Sequence, residues 1–151
     1  MTTPPPPVAR ATMLIRRPVS EVFAAFVDPA ITTRFWFSRA SGRLAPGARV
    51  TWFWDHCGAS GEVRVRDFVP DRRLRIEWPT PVEWLFEPHG QEATFVRIAA
   101  WGFEGDPEAR IAQALDSTEG FNLVIAACKI WLEHGIDPRL IVDKQPPDGP
   151  V

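Results

Sequence analysis

The sequence predicts an α+β domain in which one long C-terminal helix packs across an antiparallel sheet. Apolar and polar residues alternate from Phe37 to Trp101. Turn residues interrupt this alternation at intervals of about ten, which is typical of an antiparallel meander. From Thr118 to His134 the apolar residues instead recur at helical spacing. The simplest packing buries the apolar face of the helix against the apolar face of the sheet.

Composition limits the classes of protein to which the chain can belong. Its 151 residues are the size of one domain, and 45% hydrophobic with 24% charged residues is globular. Lys and Arg number 17 against 19 Asp and Glu, so the basic excess of a nucleic-acid binder is missing. No apolar run is long enough to span a membrane. The N-terminus does not resemble a secretory signal, and two cysteines do not make a disulfide scaffold. We expect a cytoplasmic protein that binds neither nucleic acid nor membrane.

The first third of the chain predicts a tail, a strand and two short helices. Residues 1–7 contain four prolines, which favours a disordered tail. The segment from Val8 to Ile15 predicts the first strand. Pro18 is well placed at the start of a helix, because its missing N–H would be unpaired there. The pair Asp28-Pro29 starts a second helix that extends to about Phe35.

The meander has one apolar face and one charged face. Its predicted turns are Pro46-Gly47, Gly58 to Gly61, Pro70-Asp71, Pro79 to Pro81 and His89-Gly90. The apolar sets on one face are Val50, Trp52 and Trp54; Val63 and Val65; Leu74, Ile76 and Trp78; and Val82, Trp84 and Phe86. Arginine and glutamate occupy the alternate positions, so we expect this other face to be solvated.

The last third of the chain predicts a final strand and a long helix, and only the orientation of the strand stays open. The final strand, from about Glu92 to Trp101, is apolar on both faces, so alternation does not indicate which face is buried. Asp106-Pro107 starts the last helical region, and Gly135 ends it. We therefore assign the domain to residues 8–137 and a C-terminal tail to residues 138–151.

Six segments resemble the bacterial homologues of activator of Hsp90 ATPase, within the wider START-like, polyketide-cyclase-like superfamily (SRPBCC). They are Arg17-Pro-Val-Ser-Glu-Val-Phe-Ala-Ala-Phe-Val-Asp-Pro29, Arg34-Phe-Trp36, Pro46-Gly-Ala-Arg-Val-Thr-Trp52, Gly61-Glu-Val63, Glu119-Gly-Phe121 and Trp131-Leu-Glu-His-Gly135. The resemblance covers roughly residues 8–137. It implies a helix-grip fold, in which a curved seven-stranded antiparallel sheet wraps around the C-terminal helix and leaves an apolar cavity between them.

The predicted inner faces suggest which residues would contact a ligand. The chain has seven Trp and ten Phe but no Tyr, so indole N–H groups rather than phenols would orient a bound molecule. The same aromatic rings could instead fill the interior. The predicted ligand contacts are Trp52, Trp54, Val63, Val65, Ile76, Trp78, Trp84, Phe86, Phe121 and Ile125.

Three polar residues are candidates for groups inside the cavity. His56 and Glu62 would lie near each other across the Cys57–Gly61 turn, as a pair at the cavity mouth or as a surface pair on the hairpin. Arg97 would face a ligand if the odd positions of the last strand point inward. If Val96 and Ile98 point inward, Arg97 is solvated, and this is the cheaper arrangement because burying an unpaired guanidinium is costly.

The sequence offers no catalytic or metal-binding set. Adjacent residues of a strand point to opposite faces, so Asp55, His56 and Cys57 would not converge on one ion. No nucleophile motif or phosphate-binding glycine loop is present. We therefore predict no cofactor and no metal.

Three functions remain open. The first is binding of a small, largely apolar aromatic or acyl ligand without turnover. The second is a polyketide-cyclase-like enzyme, which would need His56 with Glu62, or Arg97, in the cavity. The third is a module that interacts with an Hsp90-type chaperone. A homodimer is also among the expected assemblies.

Overall fold

The computed structural model of the protein describes residues 5–146. Its elements are β1 (Ala9–Ile15), α1 (Val19–Val27), α2 (Pro29–Thr32), β2 (Arg39–Ala40), β3 (Arg49–Trp54), β4 (Ala59–Val69), β5 (Arg73–Trp78), β6 (Thr80–Pro88), β7 (Thr94–Ala100), α3 (Pro107–His134) and α4 (Leu140–Asp143). The strands form one antiparallel sheet in the order β1-β7-β6-β5-β4-β3-β2. This confirms the predicted seven-stranded, curved sheet with a long C-terminal helix.

Helix α3 lies along the edge strand β1 and satisfies part of its free backbone. The side chain of Asn122 donates to the carbonyl of Arg10 at 3.0 Å, and the Lys129 ammonium donates to the carbonyl of Leu14 at 2.8 Å. An edge strand otherwise exposes a row of unpaired polar groups. These contacts fix the direction of the helix relative to the sheet.

Helix α3 begins where Asp106-Pro107 predicts the start of the last helical region. Its first residue is Pro107, and the Asp106 carboxylate caps it by accepting from the N–H of Ala109 at 2.8 Å. The apolar residues recur at helical spacing only from Thr118, but the helix is continuous from Pro107 to His134. The buried positions are concentrated after residue 120, where the helix covers the sheet: Phe121, Val124, Ile125, Ala127 and Cys128. The earlier turns extend past the sheet and form one side of a cavity.

Aromatic residues from α1 and the segment after α2 fill much of the space between sheet and helix. The Phe23 ring lies 5.1 Å from that of Phe86, and Phe26 lies 5.9 Å from Trp84. Thr32 is 1% exposed and donates its hydroxyl to the Ala25 carbonyl, which holds α2 against α1. The chain then turns so that the residues after α2 point inward.

The structure bears on the two tails that the sequence predicts at the ends of the domain. Residues 140–143, which we placed in the C-terminal tail, form helix α4, because the apolar run Leu140-Ile-Val142 packs toward α3. Residues 5–7 precede β1 without regular secondary structure. The rest of the predicted tails, residues 1–4 and 147–151, lies outside the described residues.

Strand pairing decides the orientation of β7. Ile98 lies opposite Ala11 on one side and Trp84 on the other, and all three are buried. Arg97 therefore points to the outer face, where its guanidinium stacks on the Phe95 ring at 4.7 Å. Of the two orientations that the sequence leaves open for Arg97, the structure has the solvated one, so Arg97 is not a group inside the cavity. Of the helices within residues 5–146, none is sufficiently long and apolar to cross a membrane.

Candidate functional site

A half-open cavity of about 420 Å³ lies between the β3–β4 hairpin, helix α3 and the segment that contains α4. Its apolar lining consists of Trp36, Trp54, Ala59, Trp78, Phe121, Val124 and Ile141. Its other lining residues are His56, Cys57, Ser60, Asp116, Ser117, Gly120, Lys144 and Gln145. The volume is within the range of pockets that hold small molecules.

The floor of the cavity is a cluster of aromatic rings. The indoles of Trp54 and Trp78 are stacked, with centroids 5.3 Å apart and planes 13° from parallel. Trp36 packs edge-on against Trp78 at 5.8 Å and against Phe121 at 6.1 Å. Trp78 is the most exposed of these four aromatics: it is half-buried, whereas Trp36, Trp54 and Phe121 are buried. Offset and perpendicular rings of this kind offer flat apolar surfaces to a guest molecule.

Local structure explains how Trp54 and Trp36 reach the floor. Trp54 ends β3 opposite Ala59, and both residues line the cavity. The N–H of Cys57 donates to the carbonyl of Trp54 and closes the hairpin turn. Trp36 follows α2, and its N–H donates to the Thr32 carbonyl at 3.0 Å. The buried Thr32 thereby sets the position of Trp36.

The rim of the cavity is polar and carries few free charges. The Lys144 ammonium lies 3.1 Å from the carboxylate of Glu119, and this ion pair ties the α4 segment to helix α3. Asp116 has no ion pair within the described part of the chain. Cys57 is exposed and its thiol donates to the Trp54 carbonyl. A ligand in this site would place its apolar body on the rings and a polar edge at the rim.

The arrangement offers binding surfaces rather than a catalytic set. Within residues 5–146, no hydrogen bond or ion pair connects the side chains of His56, Asp116 and Ser117 with one another. A nucleophile activated by a neighbouring base needs such a contact. In the same range, no three His, Cys, Asp or Glu side chains are grouped closely enough to hold a metal ion.

Most of the predicted ligand contacts belong to the core instead of the cavity wall. Of the ten, Trp54, Trp78 and Phe121 line the cavity. The other seven are buried and do not line it: Trp52, Val63, Val65, Ile76, Trp84, Phe86 and Ile125. The reason is that α1 and the residues after α2 cover the centre of the sheet. The prediction that these seven side chains contact a ligand is corrected, and contact by the remaining three stays a prediction.

The predicted pair of His56 and Glu62 is separated by the strand register. Glu62 lies opposite Thr51, whereas Gly61 lies opposite Trp52 on the inner face. Glu62 is therefore exposed on the outer face and is not a cavity group. His56 lines the cavity mouth within the hairpin turn, and Glu62 is not its partner there.

The residues missed by the sequence analysis come from three places. Trp36 follows the second predicted helix and is absent from the predicted ligand contacts, although its aromatic neighbours in the sequence indicate a buried position. Asp116 precedes the stretch of α3 in which apolar residues recur at helical spacing, and Gly120 lies at its beginning. Ile141 and Lys144 lie in the predicted tail, where the apolar run after Arg139 was a signal of packing.

Comparisons with known proteins agree with the fold and the family resemblance. Residues 16–129 match the family described as Activator of Hsp90 ATPase homolog 1-like protein. The crystal structure of protein SSP2350 from Staphylococcus saprophyticus is similar, with a TM-score of 0.77 and 26% identity over 87% of this chain and 96% of that one. No curated protein matches the chain.

Two further structures share the fold. DynU16, described as a putative protein in the dynemicin biosynthetic locus, has a TM-score of 0.74 at 22% identity, over 87% of this chain and 49% of that chain. The solution structure of the Aha1 dimer from Colwellia psychrerythraea has a TM-score of 0.71 at 15% identity, over 85% of this chain and 97% of that chain.

Proposed function

The chain belongs to the Activator of Hsp90 ATPase homolog 1-like family, and on this premise we propose that it binds a small, largely apolar molecule of aromatic or acyl type. The observation that carries the proposal is the cavity of about 420 Å³ floored by three indoles and a phenyl ring. A cavity with apolar walls and a few polar groups at its mouth is the usual form of a small-molecule site.

Binding without turnover fits the site better than catalysis. The groups that could transfer a proton, His56 and Asp116, both lie at the exposed rim, and the rings beneath them carry no acid or base. Enzymes usually place such groups beside the reacting atoms and shield them from water. We therefore propose a binding role for this cavity rather than a cyclase-like one.

The experiment is to block the cavity and measure binding of an apolar probe. The indole N–H signals in a two-dimensional NMR spectrum report on the cavity directly, since Trp36, Trp54 and Trp78 line it. Titration with 2-naphthol should shift these signals saturably. Ser117→Phe places a ring in the cavity from helix α3 and should abolish the saturable shifts. Ala112→Phe, on an exposed position of the same helix that does not line the cavity, is the matched control and should bind as the wild type does.

A second candidate function is interaction with an Hsp90-type chaperone, which the family match favours. Such an activity would use an exposed surface and would not need the cavity. Addition of the protein to a purified Hsp90 should then stimulate ATP hydrolysis, and Ser117→Phe should stimulate it equally. A loss of stimulation in Ser117→Phe but not in Ala112→Phe would connect the two activities.

We propose separately that the chain assembles as a homodimer. The Colwellia psychrerythraea relative of the fold is described as a dimer. Sedimentation equilibrium over a hundred-fold range of concentration should give twice the 17.0 kDa mass of one chain. A constant mass of one chain would contradict the dimer and leave the binding proposal intact.

A further inference from the structure

Two glycines lie near the aromatic floor of the cavity, and they have different reasons to be glycine. A Cβ atom at Gly61, in β4, would lie 2.5 Å from Nε1 of Trp78. Any side chain at that position would therefore collide with the indole. The protein's own packing explains Gly61.

Gly120 has no such explanation in the packing of the protein. It lies within α3, more than three turns from either end, where glycine is the least favourable residue apart from proline. Its backbone is not in the left-handed region, and a Cβ atom built on it would meet nothing within 4 Å apart from its chain neighbours and the surrounding backbone of its own helix. Alanine would fit there and would stabilise the helix. Glycine at this position therefore lowers the stability of the helix, and no packing contact within the protein requires it.

The open space at Gly120 belongs to the cavity. Gly120 lines the cavity together with Asp116 and Val124, which lie one helical turn before and after it. The missing side chain exposes the helix backbone to the cavity between these two residues. Glycine is the residue that allows a ligand to approach a backbone closely.

We infer that Gly120 is the specificity-determining position of this cavity and that the ligand is a flat aromatic ring system lying against the helix backbone at that point. The inference rests on the proposed function and names the ligand class within it. The aromatic rings support a flat ligand, because Trp54 and Trp78 already stack nearly parallel and Phe121, next to Gly120, lies 6.3 Å from Trp78. Trp78 is the least buried of the four rings that line the cavity, so a flat guest ring placed against it would extend this stacking. A rounded aliphatic molecule cannot stack in this way.

The test combines Gly120→Ala with two neutral alcohols of similar carbon number, the flat 2-naphthol and the globular 1-adamantanol. Binding is followed by the indole N–H signals, and the thermal unfolding midpoint Tm is measured for each variant. Wild type should bind 2-naphthol more tightly than 1-adamantanol. Gly120→Ala should weaken 2-naphthol binding by about five-fold or more, which corresponds to a single lost close contact. Its Tm should rise by roughly 2–4 °C, as expected for a helix-stabilising change in a chain of this size.

A matched variant tests whether weaker binding results from the filled cavity or from the more stable helix. Ala112→Gly introduces glycine at an exposed position of α3 that does not line the cavity, so it should lower Tm and leave binding unchanged. The double variant with Gly120→Ala should have a Tm near that of the wild type and should still bind 2-naphthol weakly. This result would show that space, and not helix stiffness, controls binding.

Four other outcomes would contradict the inference about Gly120, the flat ligand class or the proposed function. Equal binding of 2-naphthol by wild type and Gly120→Ala would overturn the role of Gly120 and leave the proposed function standing. A lower Tm in Gly120→Ala would show that the fold itself needs this glycine and would also overturn that role. Binding of 1-adamantanol as tight as that of 2-naphthol would overturn the flat ligand class. Failure of the wild type to bind either alcohol would overturn both the inference and the proposed function.

Discussion

The carboxylate of Glu133, near the end of helix α3, accepts a hydrogen bond from the backbone N–H of Arg16 at 2.8 Å, just past the end of β1. The ammonium of Lys129 donates to the same carboxylate oxygen at 2.6 Å. Burial opposes ionisation of Glu133, but these two donors outweigh it and lower the pKa of Glu133. An ionised, nearly buried carboxylate thus joins the last turns of the helix to the edge of the sheet.

The first prediction concerns the pH dependence of this contact. Because the pKa of Glu133 is lower in the folded chain than in the unfolded chain, its stabilising effect is present above the unfolded-state pKa and is lost as the pH falls through the folded-state pKa. Glu133→Gln should lower the free energy of unfolding at pH 7 by roughly 1.5–3 kcal/mol. The difference from wild type should shrink below about pH 4. Urea unfolding at several pH values measures both quantities.

Glu119→Gln is the control for that experiment. Its carboxylate is 63% exposed and pairs with Lys144 at the surface. Surface pairs of this kind contribute at most about 1 kcal/mol. If Glu133→Gln were as mild as Glu119→Gln at pH 7, the Glu133 contact would not hold the helix to the sheet.

The second prediction is that Gly61→Ala destabilises the protein. The added methyl group would lie against Nε1 of Trp78, and the indole is held in place by its stack with Trp54. Forcing an extra methyl group into packed rings costs roughly 1–3 kcal/mol. The free energy of unfolding should fall by this amount, and the near-ultraviolet circular dichroism should change as the stack is displaced. An unchanged spectrum with unchanged stability would mean that Trp78 does not lie over Gly61.

The third prediction is that Trp84 contributes to the stability of the core and not to the wall of the cavity. The side chain is 0% exposed, and its indole N–H has no hydrogen-bond partner within residues 5–146. Trp84→Ala should cost roughly 3–5 kcal/mol, like other large-to-small changes in a core. Trp84→Phe keeps a ring beside Phe26 and Phe121 and removes the unpaired donor, so it should cost much less. Chemical unfolding of both variants tests this, and equal losses would contradict it.

The fourth prediction uses the two cysteines. Cys57 is exposed at the rim, whereas complete burial raises the pKa of the Cys128 thiol well above its ordinary value. Only the thiolate reacts readily with alkylating agents. Iodoacetamide at pH 8 should therefore modify one thiol in the native protein and two after denaturation. Saturating 2-naphthol should slow the native reaction, and Cys57→Ser should eliminate it. Rapid modification of Cys128 in the native protein would contradict the packing of α3.

Several features of the fold could be predicted because they depend on neighbours in the sequence. The alternation of Val50, Trp52 and Trp54 defines one face of a strand, whatever that strand pairs with. Asp28-Pro29 and Asp106-Pro107 both cap helices, as their carboxylates do in the structure. Gly135 has a φ of 67° and ends α3, a conformation that favours glycine.

The shape of the site was less predictable, because it depends on contacts between distant segments. Trp54 and Trp84 occupy the same face of the sheet and have the same local pattern. Phe26, from α1, packs on Trp84, which does not line the cavity. The rings that follow α2 pack beside Trp54 without separating it from the cavity, so Trp54 is part of the cavity wall. Alternation within a strand carries no information about which inward-facing residue is covered by another element.

By itself, the sequence determined the α+β class, the order of the elements as far as α3, the inward-facing residues of β3 to β6 and the family resemblance, because these follow from local periodicity, capping residues and short segments. Only the tertiary structure decided that Arg97 faces outward, since β7 is apolar on both sides and pairing with β1 and β6 selects its buried face. It alone also placed Ile141 and Lys144 on the cavity wall. Their position depends on packing of the chain end against α3, and this long-range contact leaves no periodic pattern in the sequence.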